Sequence, residues 1–165
     1  MAGLEELQNL LNAAAKEMPN KALRIIGVEG LNFIQKNFRD EAFTDVSTKK
    51  WEERKTEDAQ GRDITRYRTN RKGRQGSLNR YGSKIKDRAL LVGFGTGGDK
   101  LKSSFRYRVS LGSATVNFYT YKGYAARHNE GLDGMPKRQF IGQSQYLNKQ
   151  IADKIKKELD KLLQK

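Results

Sequence analysis

A strongly basic segment near the middle of the chain limits the possible folds more than any other feature of the sequence. Residues 62–88 hold 10 basic and 2 acidic side chains, a net charge of +8, whereas residues 1–48 carry a net charge of −2. Positions 62–81 contain too few apolar side chains to bury themselves and form a core. We therefore predict a basic flexible insert at about 57–88, a mobile loop or extended arm attached to a domain that the flanking residues build.

The size and composition of the chain predict one compact domain. Its 165 residues include 33 Lys and Arg, 19 Asp and Glu and 36% hydrophobic residues, which suits a single core with a large polar surface. The apolar run at 89–92 is far shorter than the ~20 residues that cross a bilayer, so we expect no membrane contact. The N-terminus lacks the features of a secretory signal, and the lack of cysteine excludes disulfides and fits a reducing cytoplasm.

The N-terminal third of the sequence has the apolar spacing of helices. Residues 4–17 repeat apolar side chains at steps of three and four, which predicts an amphipathic helix. Pro19 is expected to end this helix, because proline lacks the N–H that a helix interior needs. A second helix is predicted for residues 20–39, with Asn20 capping its first turn.

The C-terminal half combines a predicted hairpin with a predicted helix. Residues 105–110 alternate apolar and polar side chains, and 116–119 are again rich in strand-forming residues after a glycine-containing turn, which predicts an antiparallel hairpin. Residues 144–163 repeat Leu and Ile at helical spacing after Ser144, a suitable helix cap. Together these elements predict an α+β fold, in which N-terminal helices and a long C-terminal helix pack on a central antiparallel sheet.

A glycine-rich stretch at 93–98 has the letters of a dinucleotide-binding turn. Such a turn must open onto a helix, and an acidic residue should follow about 20 positions later. Here the sequence turns into strand alternation, and residues 100–129 contain no Asp or Glu. We therefore predict a simple glycine turn and no cofactor.

His128 is the one histidine of the chain, and Glu130 and Asp133 follow it closely. A metal-dependent nuclease could use such residues, but a metal site normally gathers several ligands, and no second cluster supports this one. No nucleophile motif supports a catalytic triad built around this histidine either. We therefore predict neither a catalytic residue nor a metal site, and expect His128 to pack at the end of a helix.

The basic insert has a composition that suits contact with a polyanion. Its arginines alternate with Tyr67 and Tyr81, so phosphate contact and base stacking are both available. The same loop could instead contact acidic surfaces of neighbouring subunits, and the sequence leaves these two alternatives open. The candidate contact residues for DNA or a subunit are Arg62, Arg66, Arg68, Arg71, Lys72, Arg74 and Arg80.

Four short motifs follow one another along the chain. They are a tryptophan at 51, G-x-x-L-x-x-S at 98–104, Y-A-x-x-H-x-x-G at 124–131 and P-x-R-x-F at 136–140. In this order, over about residues 20–163, the sequence resembles the virion-morphogenesis or tail-completion proteins of tailed bacteriophages. The resemblance implies a structural signature with no catalytic role at Trp51, Gly98, Leu101, Ser104, Tyr124, Ala125, His128, Gly131, Pro136, Arg138 and Phe140. The long basic insert between Trp51 and Gly98 departs from the family pattern.

The resemblance implies a non-enzymatic subunit that assembles with copies of itself as a ring, a hexamer in the particle. Such a ring sits at the tail end or at the head–tail junction, contacts tail-tube or neck proteins, and surrounds the path of the genome DNA. It would be found in the virion, and in the host cytoplasm during assembly. The alternatives are a cellular nucleic-acid-binding protein that uses residues 62–88, and a small metal nuclease that uses His128 and Glu130.

Overall fold

One uninterrupted helix, α1 (Leu4–Asp40), forms the N-terminal part of the protein in the computed structural model. The structure describes residues 4–65, 72–91 and 100–164. After α1 the elements follow in the order β1 (Ala42–Thr44), β2 (Thr48–Lys50), α2 (Arg80–Ile85), β3 (Arg106–Ser110), β4 (Thr115–Tyr119), α3 (Ala125–Glu130) and α4 (Gln145–Leu163). The predicted α+β class is confirmed. None of the described helices is both long enough and apolar enough to span a membrane.

Pro19 lies inside α1, so the prediction that this proline ends a first helix is wrong. Asn20 accordingly lies within the same helix and does not cap a second one. A proline removes one backbone hydrogen bond and crowds the preceding turn. The helix continues because its later turns pack against β1, the β3–β4 hairpin and α4, and this tertiary packing offsets the local cost of the proline.

Two antiparallel hairpins make up the sheet structure of the described residues. β1 pairs with β2 directly after α1, and the side chains of β1 are buried while those of β2 are exposed. β3 pairs with β4 from Arg106 opposite Tyr119 to Ser110 opposite Thr115. The hairpin predicted from the alternation at 105–110 is therefore confirmed.

The β3–β4 hairpin lies against α1 at two glycines. The ring of Tyr107 covers Gly27 and the ring of Phe118 covers Gly30, and a Cβ atom at either glycine would overlap the ring. Glycine lowers the helix propensity of α1, but here it permits the close approach of the hairpin. One face of the hairpin is thus covered by α1, and the alternate side chains on its other face are exposed.

The core forms where α1, the start of β3 and the connector before α4 meet. Phe38 stacks on Phe140 with 5.0 Å between ring centroids, and Trp51 meets Phe38 edge-on at 5.5 Å. Phe105 meets Phe140 at 5.3 Å, and Ile34 belongs to the same buried cluster. Buried aromatic side chains of this kind contribute large apolar areas, so they dominate the stability of the fold.

The last helix, α4, packs along α1. Its N-terminus is fixed by Ser144, whose Oγ accepts a hydrogen bond from the N–H of Leu147 and donates one to the carbonyl of Thr44. The predicted helix and its cap are confirmed. No residue of α4 is fully buried, and Leu159 and Leu163 remain exposed on its surface.

Candidate functional site

The motif residues Trp51, Arg138 and Phe140 meet at one buried junction. The indole Nε1 of Trp51 donates a hydrogen bond of 2.7 Å to the carbonyl of Gln139. In the opposite direction, the guanidinium of Arg138 donates to the carbonyls of Glu52 at 2.9 Å and Glu53 at 3.3 Å. Trp51 and Arg138 are each only 6% exposed. Two segments far apart in the sequence are therefore joined by buried side chains from both sides.

Two asparagines complete this junction, and sequence reasoning missed both. Asn37 Nδ2 donates to the carbonyl of Phe140, and Asn129 Oδ1 accepts from the backbone N–H groups of Phe140 and Ile141. The fully buried Asn37 follows Phe33 by four positions, so a polar residue on the apolar face of α1 was the available signal. A buried amide needs hydrogen-bond partners; the connector supplies one for Asn37 Nδ2, while Asn37 Oδ1 is buried without a partner among the described residues.

The second motif holds the entrance of β3 against the exit of β4. Leu101 is buried in the core, and Ser104 Oγ donates to the carbonyl of Leu101, which closes a short 3-10 turn over residues 101–103. Ser104 Oγ also shares a hydrogen bond with Thr120 Oγ1 at 2.5 Å. Gly98 and the rest of the 93–98 stretch lie outside the described residues, so the predicted glycine turn remains a prediction.

The third motif forms α3 and its end. Ala125 is buried, and Gly131 ends the helix with a φ of 73°, a left-handed conformation that favours glycine. A Cβ atom at Gly131 would also lie 3.0 Å from Lys137 Cβ. The backbone N–H of Arg138 donates to the carbonyl of His128, so this hydrogen bond connects α3 to the junction.

His128 occupies the last turn of α3, as predicted, and its surroundings do not favour metal binding. Burial, followed by the nearby guanidiniums of Arg138 and Arg127, lowers the pKa of its imidazole below the ordinary value. Asp133 pairs with Arg127 at 2.6 Å, and Glu130 is exposed. The described part of the chain contains no group of three or more metal-ligating side chains. Two adjacent guanidiniums would also repel a cation.

A cleft of about 450 Å³ lies beside His128. Its lining includes two arginines, Arg54 and Arg138, and burial is the main reason that the pKa of each lies below its usual value. Both guanidiniums remain charged at neutral pH, because an arginine pKa starts so high. No carboxylate of the described residues forms an ion pair with either arginine. The described lining of the cleft therefore contains two guanidiniums and no carboxylate.

The basic insert begins with a turn organised by Asp58. The Asp58 carboxylate accepts hydrogen bonds from the backbone N–H groups of Gln60 and Arg62 and from the Arg62 guanidinium. Lys72 Nζ lies 3.5 Å from the same carboxylate. The bonds from Arg62 hold the pKa of Asp58 well below its usual range. Two of the seven candidate contact residues, Arg62 and Lys72, therefore have their charge paired within the insert.

A second carboxylate, Asp63, is fully buried inside the insert. It accepts hydrogen bonds from the backbone N–H and hydroxyl of Thr65 and from the backbone N–H of Asn79. The carbonyl of Asp63 also accepts from the N–H of Gly73 at 2.7 Å. These bonds tie together the two described sides of the loop, a degree of local structure that the sequence reasoning missed. The Asp-x-Gln-Gly sequence at 58–61 was a turn signal.

The C-terminal side of the insert forms α2, which is fixed at both ends. Asn79 Oδ1 accepts from the N–H groups of Tyr81 and Gly82 at its start. Arg54 donates to the carbonyls of Ile85, Arg88 and Ala89 at its end, and Glu41 accepts from the N–H of Leu90. These contacts attach the insert to the domain; its predicted flexibility remains a prediction.

The structure describes two of the five remaining candidate contact residues of the insert. Arg74 and Arg80 are exposed, and within the described ranges no acidic side chain forms an ion pair with either. Arg66, Arg68 and Arg71 lie outside the described residues. The structure therefore brings Trp51, Leu101, Ala125, Arg138 and Phe140 of the signature together, and the basic insert residues that it describes take no part in this junction.

Comparisons with known proteins add no assignment. No protein-family model matches the chain, and no curated protein or solved structure matches it either.

Proposed function

We propose that this protein is a non-enzymatic structural subunit of a tailed phage or prophage particle, of the tail-completion or head–tail connector type. The observation that carries the proposal is the meeting of the ordered motifs in space. Trp51 and Arg138 bind backbone carbonyls of each other's segments, and Phe140 packs beside them in the core. A series of separate motifs whose residues converge on one junction behaves as a structural signature.

The chemistry of the junction suits a rigid subunit. The hydrogen-bond donors of Trp51 and Arg138 are directed at backbone carbonyls, which fixes the connector before α4 to the segment after β2. The lowered pKa of His128 favours a neutral imidazole. These residues therefore support a role in holding the shape of the domain, while contact with other particle components falls to its surface.

Surface apolar residues along α4 and α1 support an assembly role. Leu159 is 36% exposed and Leu163 is 42% exposed on α4, and Val28 is 46% exposed on α1. Exposed apolar side chains of this kind suit contacts between subunits. A ring built from repeated contacts would cover them in every subunit.

The proposal is tested by deleting the gene from the phage or prophage genome that carries it and examining the particles by electron microscopy. We expect unfinished tails or unjoined heads and tails, and restoration by the wild-type gene. The Leu159→Lys variant should restore particles poorly, because a charge replaces an exposed apolar contact, whereas Ala152→Lys on the same helix serves as the matched control. Normal infectious particles from the deletion strain, or turnover of a substrate by the pure protein, would contradict the proposal.

A second candidate is a cellular nucleic-acid-binding protein that uses the insert, and the exposure of Arg74 and Arg80 favours it. This alternative requires tight binding by the monomer, with a steep salt dependence that neutralising the insert arginines flattens. The structural subunit requires only weak binding without sequence preference. A metal nuclease is not proposed, because Arg127 and Arg138 lie beside His128.

A further inference from the structure

The outer face of the β3–β4 hairpin carries positive charge on a defined surface. Exposed and partly buried side chains alternate along both strands, so Arg106 and Arg108 share one face with Asn117 and Tyr119. The opposite face packs on α1 through Tyr107 and the residue across from it. The two arginines are therefore exposed on the face turned away from α1, on a ribbon whose position is fixed by five residue pairs and by α1.

Carboxylates are missing from this part of the sequence. Residues 100–129 contain six basic side chains and no Asp or Glu, and within the described residues no ion pair is formed by Arg106, Arg108 or Lys102. Arg106 donates to the carbonyls of Ser103 and Phe105 through Nη1. These bonds orient its guanidinium without neutralising the charge.

Exposed tyrosines lie among these charges. Tyr119, opposite Arg106, is 50% exposed, and Tyr121 at the end of the hairpin is 67% exposed. The ammonium of Lys122 lies 4.8 Å from the centroid of the Tyr121 ring. Guanidiniums that contact phosphates beside rings that stack on bases are the combination that binds nucleic-acid backbones without reading sequence. A two-stranded ribbon is also narrow enough to enter the major groove of DNA.

We propose that the outer face of the β3–β4 hairpin binds the DNA backbone, through Arg106, Arg108, Tyr119 and Tyr121. The binding is independent of base sequence, since phosphate contacts carry no sequence information. These residues lie outside the basic insert in the sequence. The inference goes beyond the assembly role proposed above and does not depend on it.

The test measures binding of the full-length protein to a short fluorescent DNA duplex by anisotropy over a range of salt concentrations. Replacing Arg106 and Arg108 together by glutamine should weaken binding and reduce the slope of log K against log salt by about 1 for each arginine. The matched control replaces Arg74 and Arg80 of the insert, which removes the same charge from another surface. We expect that control to leave the slope close to the wild-type value.

Two further variants separate the parts of the surface. Arg106→Lys with Arg108→Lys keeps the charge and should retain the wild-type slope, while Tyr121→Ala should weaken binding to single-stranded DNA more than to the duplex. Unchanged thermal melting of each variant establishes that folding is intact, as expected for exposed positions. The proposal is overturned by equal losses in the hairpin and insert variants, by no measurable binding of the wild-type protein, or by equally strong binding to polyglutamate. If DNA binding is lost in the hairpin variants but particles still assemble, the proposed structural role is not contradicted.

Discussion

The basic insert and the β3–β4 hairpin are both positively charged, but their charges are held differently. In the insert, Arg62 and Lys72 lie beside the carboxylate of Asp58, and the buried Asp63 organises the backbone. In the hairpin, the arginines have no carboxylate partner among the described residues. A charge total along the sequence therefore points to the insert, while the structure adds the hairpin as a second surface with exposed arginines.

The two regions also differ in what attaches them to the domain. The insert is held mainly by hydrogen bonds, from Asp63 within it and from Arg54 at the end of α2. The hairpin is held by apolar burial, with Phe105 in the core and Tyr107 against Gly27. Substitutions should therefore act on the insert locally and on the hairpin through the stability of the whole fold.

The largest effect is expected from Phe105→Ala, which removes the core anchor of the hairpin. Truncating a buried phenylalanine typically costs about 3–5 kcal/mol, because apolar burial is lost and a cavity remains. Chemical denaturation followed by circular dichroism measures the free energy of unfolding. Tyr121→Ala on the exposed end of the same hairpin is the control and should change it by less than about 0.5 kcal/mol. Similar values for the two variants would show that the hairpin is not anchored through the core.

A smaller, local effect is expected from Asp63→Ala in the insert. The variant leaves the N–H groups of Thr65 and Asn79 without their carboxylate acceptor, a loss of about 1–3 kcal/mol for buried polar groups. Hydrogen exchange should become faster at Thr65, Gly73 and Asn79, while amides of α4 keep their protection. The control Asp87→Ala removes the same charge from an exposed position. Unchanged exchange in the Asp63 variant would contradict this account of the insert.

A pH effect is expected at His128, which lines the cleft together with Arg54 and Leu101. Its pKa is lower in the folded protein than in the unfolded chain, mainly because of burial. The unfolded state therefore binds more protons than the folded state as the pH falls. The contribution of His128 to the free energy of unfolding is fully present above about pH 6.5 and decreases below that value. Denaturant midpoints measured at a series of pH values below and up to about 6.5 should rise with pH.

His128→Gln should remove that rise, since the chain has no other histidine. Arg127→Gln should reduce it only in part, because the guanidinium of Arg127 is the weakest of the three causes that lower the pKa. A pH dependence of the His128 variant equal to that of the wild type would assign the titration to another group.

The smallest effect concerns Asp58, whose pKa is held below its ordinary value by Arg62. A depressed carboxylate pKa stabilises the folded state above the unfolded value near 4, and that contribution is lost as the pH falls towards the folded value. The stabilisation is small because solvent screens the pair. Carboxyl-carbon NMR should show the titration midpoint of Asp58 rising in Arg62→Gln and staying in place in Arg74→Gln. Equal titration midpoints of Asp58 in the wild type and in the Arg62 variant would contradict the pairing of Asp58 with Arg62.

Sequence patterns predicted the elements that depend on near neighbours. The spacing of Leu and Ile predicted α4, Ser144 was predicted as its cap, and the alternation at 105–110 predicted β3. The motif letters also marked Trp51 and Arg138 as important positions. None of these predictions needed contacts between distant parts of the chain.

The prediction at Pro19 failed because it considered only local backbone chemistry. The hydrogen bonds of Asn37 and Asn129 were also missed, because the sequence around an asparagine does not identify the distant backbone groups to which it binds. In the insert, a run of basic residues obscured the two carboxylates that organise it, Asp58 and Asp63. For Pro19, the two asparagines and the Asp63–Asn79 bond, the deciding partner lies beyond the range of helical or strand periodicity; Asp58 is the exception, because Arg62 lies four positions away.

By itself the sequence determined the α+β class, the hairpin, the last helix and the uneven distribution of charge. The tertiary structure alone decided that α1 continues through Pro19, that Trp51 and Arg138 join distant segments, and that the insert pairs part of its charge internally. The physical reason is range. Propensity, capping and periodicity act between residues a few positions apart, whereas burial and long-range hydrogen bonds depend on which surfaces the folded chain brings into contact.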